Sequence, residues 1–205
     1  MASKGFSLPV CGLAAAFAAS TLPASAQQIR SDYTQASEKA CKVVAKNKPK
    51  EEMAWSESSC PGRGGYVMRL FDADLRMTVS VGRTMAQAEK EPAASQGFGL
   101  FNQAKETVEW RSTGGKPFAI IQRWTLADNE SLDKDGRPKS VPILVVTRLP
   151  PGPVCHVAYI DGQANPEANT VARQAADEKA RNFRCGTDEV TIVGTPGRGT
   201  ELAKP

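Results

Sequence analysis

The single histidine of the chain, His156, is the first residue to consider for chemistry. It lies within an apolar run directly after Cys155, and a Ser-His-Asp triad would have to assemble around it. The chain has no G-x-S-x-G segment that would present the serine of such a triad. Since one histidine cannot form a multi-histidine metal site either, we expect His156 to be structural or partly exposed.

Paired carboxylates are the second possible source of acid–base chemistry. The acids that could contribute to a pair are Glu57, Asp72, Asp74, Glu109 and Asp161. A β protein of this size carries such acids at its strand ends, so the sequence selects no pair among them. Catalytic residues are therefore unknown at this level.

Residues 131–136 partly resemble the start of a calcium-binding EF-hand loop, because acids alternate toward Gly136. The twelfth position of such a loop is a bidentate glutamate, and here it is Pro142. An Asp-Gly turn between two strands explains the same residues and is the favoured interpretation. The glycine-rich residues 61–65 fit neither phosphate-binding motif. We predict no metal and no cofactor.

The N-terminus has the order of a cleavable secretory signal peptide, assigned to residues 1–26. Lys4 precedes an apolar run over residues 6–17, and an Ala-x-Ala site follows at residues 24–26. We predict cleavage after Ala26 and a periplasmic or secreted mature protein. The run is too short to cross a bilayer permanently, and no later segment approaches the roughly 18 apolar residues that a spanning helix needs, so we predict no membrane span.

Cleavage also removes Cys11, which is disfavoured as a lipidation site because Val10 stands where a small residue is needed. The four remaining cysteines predict two disulfides in an oxidising compartment. Of three possible pairings, near neighbours are favoured, because their loops of about 20 and 30 residues contribute roughly 3 to 4 kcal/mol each. No C-x-x-C pair supports zinc. The favoured pairs are Cys41 with Cys60 and Cys155 with Cys185.

The formal net charge of +4 is small, and the basic residues are dispersed along the chain. A nucleic-acid-binding protein of this size would concentrate lysine and arginine on one face or in one run. We therefore predict no nucleic-acid partner.

Short apolar runs separated by Gly, Pro, Asn and Asp predict a mainly β fold. One predicted hairpin joins residues 66–71 to 75–81, and another joins 107–113 to 118–126 through Gly114-Gly115. Two further runs are apolar on both faces, which predicts central strands with a helix over one face; they span residues 141–149 and 154–160. Residues 27–39 are predicted to be a polar leader.

One helix is predicted after the last of these strands, with Asn165 as its N-cap, Pro166 in its first turn and Gly186 as its stop. Alanines recur at three- and four-residue spacing up to Phe183, which predicts a face that packs on a sheet. Arginines and an aspartate four apart are expected to pair along the helix; they are Arg173, Asp177 and Arg181. Residues 194–205 show no core periodicity and are predicted to be a flexible tail.

Residues 83–104 are the one long insertion between predicted strands. The insertion begins polar and becomes apolar at residues 97–101. Long loops with apolar content of their own either bind ligands or cover the end of a sheet. In the binding interpretation, Phe98, Leu100 and Phe101 flank the mouth of a pocket.

Five segments together resemble one group of proteins: Trp55-x4-Cys60-Pro61-Gly62, Gly65-Tyr66, Asp74-Leu-Arg76, Val154-Cys-His-Val-Ala-Tyr159 and Asn165-Pro-x-Ala-Asn169. The set resembles a family of uncharacterised exported proteins of α-proteobacteria, over most of the mature chain. The resemblance implies a bacterial periplasmic location. It supplies no catalytic residues, because that family has no assigned activity.

These patterns predict an α+β, mainly β fold: an antiparallel sheet, or a partly open β sandwich or barrel, with one C-terminal helix packed on it. Residues 27–193 are predicted to form a single disulfide-stapled domain. The leading functional hypothesis is a non-enzymatic periplasmic binding or interaction module, such as an inhibitor or envelope-associated factor, whose partner is an unknown protein or envelope component. A periplasmic hydrolase acting on envelope glycans or esters is the alternative, and a ligand carrier is the third hypothesis.

Overall fold

The computed structural model of the protein describes residues 1–2, 5, 28–48, 50 and 53–204. The apolar run of the predicted signal peptide, Cys11 and the predicted cleavage site lie outside these residues. None of the helices in the described ranges has the length and apolar character that crossing a membrane would require.

The described elements follow one another in an order that is mostly β. They are β1 (Ile29–Gln35), β2 (Lys42–Lys46), β3 (Trp55–Pro61), β4 (Val67–Ala73), β5 (Arg76–Gly82), α1 (Met85–Lys90), β6 (Asn102–Thr113), β7 (Lys116–Leu132), β8 (Pro138–Arg148), β9 (Cys155–Asp161), α2 (Ala168–Lys179), β10 (Thr191–Ile192) and α3 (Arg198–Leu202).

The strands form two open sheets. One has six strands in the order β1-β6-β7-β8-β9-β10, and the other has four in the order β2-β3-β4-β5. All pairs are antiparallel except β9 with β10. Both predicted hairpins are confirmed: β4 pairs with β5, and β6 pairs with β7 across Gly114 and Gly115, which adopt the positive φ angles that such a turn requires.

Two apolar cores divide the molecule into three layers. The first lies between the sheets, where Met68 and Val81 of the small sheet meet Trp110 and Trp124 of the large one. The second lies on the opposite face of the large sheet, where alanines of α2 allow the helix to approach Val157 and other strand residues closely. The predicted fold class, mainly β with a helix packed on the sheet, is confirmed.

Disulfides brace both halves of the chain. Cys41 is bonded to Cys60 of β3, and Cys155 of β9 is bonded to Cys185 beyond α2. This is the near-neighbour pairing that loop length favours. The first bond fixes the segment that leads into the edge strand β2, and the second fixes the segment that follows α2 to the large sheet.

The predicted start of the helix is wrong. Helix α2 begins at Ala168, and the Asn165 side chain does not cap it. Instead, the Asn165 amide accepts a hydrogen bond from the Thr195 backbone N–H and donates to the carbonyls of Asp161 and Thr195. A long-range contact therefore takes the place of the local cap.

The predicted ion pairs along α2 are also replaced by pairs with the sheet. Arg173 donates to Glu109 at 2.7 Å, and Arg111 donates to Asp177 at 2.5 Å. Arg181 donates to the backbone carbonyl of Asp177 at 3.3 Å, not to its carboxylate, and also donates to the Thr113 hydroxyl of β6 at 3.1 Å. Glu109 and Arg111 are buried in the sheet under the helix, and their charges are paired by Arg173 and Asp177 of α2.

Two segments in which no helix or strand was predicted each contain one. Residues 29–35 of the predicted polar leader form β1, an edge strand whose hydroxyl groups bond across the sheet, as when Trp110 donates to Thr34 at 2.8 Å. The predicted tail contains α3, with Thr200 and Ala203 buried. Long-range polar contacts hold both segments, which have no apolar periodicity, so the local pattern did not indicate their elements.

The insertion at residues 83–104 closes one end of the two-sheet core. Thr84 caps α1 by accepting from the Gln87 N–H at 3.2 Å. The segment then runs past the start of β9, where Gln96 accepts from the His156 N–H at 2.7 Å. Phe98 follows and enters the core at 5% exposure. Most of the insertion is thus a structural cover.

Candidate functional site

Of the five carboxylates that the sequence offers for acid–base chemistry, Asp161 is the most completely bonded. One carboxylate oxygen accepts the N–H groups of Gln163 and Ala164 at 2.8 and 2.7 Å. The other accepts those of Gly199 and Thr200 at 2.8 and 3.3 Å. A buried carboxylate with its lone pairs filled in this way fixes backbone segments and has little capacity left for a ligand.

Three more of these carboxylates are held by arginines. Glu109 accepts from Arg173 at 2.7 Å and from the Ser31 hydroxyl. Glu57 accepts from Arg69 at 2.6 Å. Asp74 accepts from Arg76, also at 2.6 Å. These pairs explain the three acids without a catalytic role.

Asp72 is the exception. It lies on the same face of β4 as Met68 and Leu70, so its side chain faces the space between the sheets. The carboxylate makes no hydrogen bond or ion pair with any residue in the described ranges. Partial burial, which disfavours the charged form, raises the pKa of Asp72 above its usual value.

Three contiguous cavities meet at Asp72, and we call them together the Asp72 groove. Their volumes are about 520, 380 and 280 Å³. The first two share Ser56, the first and third share Gln103, and the second and third share Leu75. The groove therefore runs along the open side of the sandwich, where β3 and β4 face β6.

Polar side chains without partners line this groove beside Asp72. Ser56 is the cross-strand neighbour of Asp72, and Ser58 lies one step further along β3. Like the amide of Gln103, their hydroxyl groups make no side-chain hydrogen bond within the described part of the chain. Four hydrogen-bonding groups thus converge on one groove with their capacity unused.

The rim of the groove exposes two large apolar side chains. Leu75 is 63% exposed and Phe101 is 40% exposed, and both line the third cavity. Leu75 and Asp74 form the β4–β5 turn with φ angles of 61° and 50°. Apart from glycine, asparagine and aspartate, residues are uncommon there because their Cβ crowds the backbone, so Leu75 is the unusual residue of this turn.

The three residues of the predicted pocket mouth are separated by the fold. Phe98 packs among Trp124 and Tyr159 in the core. Leu100 is half-buried. Of the three, it is Phe101 that lines the groove, with the guanidinium of Arg76 over its ring at 4.7 Å.

His156 is buried away from the groove lining. Its Nδ1 shares a hydrogen bond with the Tyr159 hydroxyl at 2.9 Å, and Phe98 packs beside it. Burial lowers the pKa of His156 to about 4 and raises the pKa of Tyr159 to about 12, so both are neutral at neutral pH. A neutral, enclosed imidazole with a phenol as its neighbour fits the structural role expected of it.

The acidic loop at residues 131–136 is a hairpin turn between β7 and β8. Asp133 accepts the backbone N–H groups of Asp135 and Arg137 at 2.8 and 2.9 Å. No group of three or more His, Cys, Asp or Glu side chains that could hold a metal ion occurs within the ranges the structure describes.

A cavity of about 480 Å³ lies next to Asp128 and Arg198 and provides a comparison. There, two hydrogen bonds of 2.9 and 2.6 Å join the Arg198 guanidinium to the Asp128 carboxylate. This pair holds the pKa of Asp128 well below its usual range. These two charges are thus satisfied internally, unlike the charge of Asp72.

Sequence reasoning named Asp72 among five acids but missed Ser56, Ser58 and Gln103. A signal was present in β3, where serines alternate with Trp55 and Glu57 before the buried Cys60. This period of two would have predicted a strand with a polar inner face.

Compared with protein-family models, curated proteins and solved structures, the chain matches none of them.

Proposed function

We propose that the protein is a non-enzymatic binding module of the bacterial periplasm, released there by cleavage after Ala26, and that the Asp72 groove holds its ligand. The two disulfides suggest an oxidising, extracytoplasmic compartment. The resemblance to exported α-proteobacterial proteins supports the more specific location.

One observation carries the proposal: Asp72 is a partly desolvated carboxylate without a partner among the described residues. Removing a carboxylate from water without a compensating bond costs free energy. A ligand that bonds to Asp72, Ser56 and Ser58 would recover that cost on binding. The arrangement is therefore better suited to an occupied groove than to an empty one.

The alternative, a hydrolase acting on envelope glycans or esters, has one observation in its favour. A carboxyl group whose pKa is raised in a cleft is the kind of group that acts as a general acid. Glu38 and Glu106 line the same cavity and would have to supply the second carboxylate. His156 cannot serve as the base because it is enclosed in the core.

The proposal is tested by retention from an envelope extract. The mature chain, its Asp72→Asn variant and an Asp32→Asn control are immobilised, and retained glycans, peptides and proteins are identified by mass spectrometry. Asp32 is a half-exposed acid outside the groove. We expect components that the wild type and the control retain and the Asp72 variant loses.

Equal retention by all three proteins would overturn the proposal. Retained components that the wild type cleaves and Asp72→Asn does not would replace it with the hydrolase alternative.

A further inference from the structure

We infer that the Asp72 groove takes an extended peptide segment, with a basic side chain beside Asp72 and an apolar side chain against Leu75 and Phe101. The inference rests on the proposed function and names the class of its ligand.

The charges of the groove favour a cationic group at Asp72. The largest cavity is lined by Glu38, Asp72 and Glu106, against a single base, Lys39. Lys46 and the Arg76-paired Asp74 line the second cavity. Lysine and arginine side chains place their charge at the end of a flexible stem, so they can reach a half-buried carboxylate from the groove mouth.

The apolar rim provides the second contact. Leu75 and Phe101 line the cavity next to Asp72, and both are large side chains exposed to water. Glycine or asparagine would fit the left-handed backbone at residue 75 without strain, whereas leucine is strained there. Residues held in sparsely populated φ/ψ regions cluster at active sites and ligand-binding sites, and Leu75 is such a residue at the rim of the groove.

The same rim favours a peptide over a saccharide. A sugar ring binds by stacking on an open aromatic face, but Arg76 lies over the Phe101 ring at 4.7 Å. Trp55, the other aromatic residue that lines the groove, lies on the opposite face of β3 from Ser56 and packs beside Phe71, with ring centroids 6.0 Å apart. Leu75, which is aliphatic, offers packing to an apolar side chain and no stacking surface. Three joined cavities also suit an extended chain better than a compact ligand.

The test uses short fluorescent peptides in which lysine alternates with leucine and threonine, with fluorescence anisotropy of the mature chain as the readout. A second peptide carries glutamate in place of lysine, a third carries serine in place of leucine, and chitohexaose serves as a neutral saccharide. Either change to the peptide is expected to weaken binding about tenfold, which corresponds to about 1.4 kcal/mol.

Two variants and a control show whether Asp72 and Leu75 contact the peptide. Asp72→Asn is expected to reduce the affinity for the lysine peptide about tenfold, while its affinity for the glutamate peptide should be no lower than that of the wild type. Leu75→Gly is expected to reduce the affinity for the lysine peptide about fivefold. Leu132→Gly removes another exposed leucine, 53% exposed against 63% for Leu75, from the β7–β8 hairpin and should leave binding unchanged.

Binding of the lysine peptide that is insensitive to both groove variants would overturn the inference. Binding of chitohexaose, lost in Asp72→Asn, without binding of the peptide would refute the ligand class while the proposed function stands. If neither probe binds and the extract experiment shows no dependence on Asp72, both fail.

Discussion

Asp161 and Asp72 are carboxylates near the ends of core strands, and their surroundings are opposite. Asp161 accepts four backbone N–H groups and fixes two segments of chain around β9. Asp72 faces a groove and has no partner among the described residues. Acids at strand ends therefore have different roles, and the supply of internal donors distinguishes the structural ones from the candidate ligand-binding one.

The surroundings of the two carboxylates differ in the same way. At the end of β9 beside Asp161, α3 packs on β8 and β9, and the Asn165 side chain has internal partners. Around Asp72 the sheets stay apart and serine hydroxyls face the gap. We regard the first region as the scaffold and the second as the site.

Asp161→Asn should have the largest effect on stability. It exchanges one acceptor oxygen for an NH₂ group that faces either Gln163 and Ala164 or Gly199 and Thr200. Since each buried donor left unpaired costs about 1 to 3 kcal/mol, we expect a loss of roughly 3 to 5 kcal/mol in the free energy of unfolding, measured by urea denaturation.

Asp32→Asn is the control, and its effect should stay within about 0.5 kcal/mol. A loss below about 1 kcal/mol for Asp161→Asn would mean that the contacts around this residue are not structural.

His156 should make the scaffold sensitive to acid. Its pKa is about 4 in the folded protein, against an ordinary value of 6.5. As pH falls, the unfolded chain therefore binds the proton first, so stability is full above about pH 6.5 and falls until about pH 4. The shift corresponds to about 3 kcal/mol.

The His156→Gln variant keeps a polar side chain beside Tyr159. Its free energy of unfolding should depend less steeply on pH than that of the wild type. Urea denaturation at about pH 7 and about pH 4.5 measures the difference. Equal slopes for the wild type and the variant would show that His156 does not titrate as an enclosed group.

Leu75→Gly, in the groove, should raise the free energy of unfolding, whereas Asp161→Asn should lower it. Relief of the strained backbone should raise the free energy of unfolding by about 0.5 to 1 kcal/mol, which corresponds to about 1 to 4 °C in the melting temperature. Leu132→Gly, in a strand, should lower it by a similar amount. A lower melting temperature for Leu75→Gly would show that its side chain packs for stability.

The sequence predicted what depends on local pattern. Gly114-Gly115, the alternation of β5 and the alanine spacing of α2 act over a few residues, and each indicated its element correctly. Residues whose partners are distant could not be placed. Strand β1 and helix α3 are stabilised by contacts such as that between Asp161 and the Gly199 N–H, 38 residues apart.

The candidate site could not be predicted from the sequence for a related reason. Asp72 stands out only once the other acids have found partners, and those partners are far along the chain, as with Glu109 and Arg173, 64 residues apart. Its neighbours Ser56 and Ser58 lie on β3, a serine-rich strand with little apolar signal. A site defined by unpaired groups requires the fold to show which groups are paired.

The most direct test of the account compares Asp72→Asn with Asp161→Asn by thermal melting and by retention of envelope components. Because partial burial disfavours the charged form of Asp72, its neutralisation should leave the melting temperature equal to that of the wild type or slightly higher, and abolish retention. Asp161→Asn should melt well below the wild type. Unchanged retention by Asp72→Asn, or a melting temperature for this variant that falls as far as that of Asp161→Asn, would contradict the account.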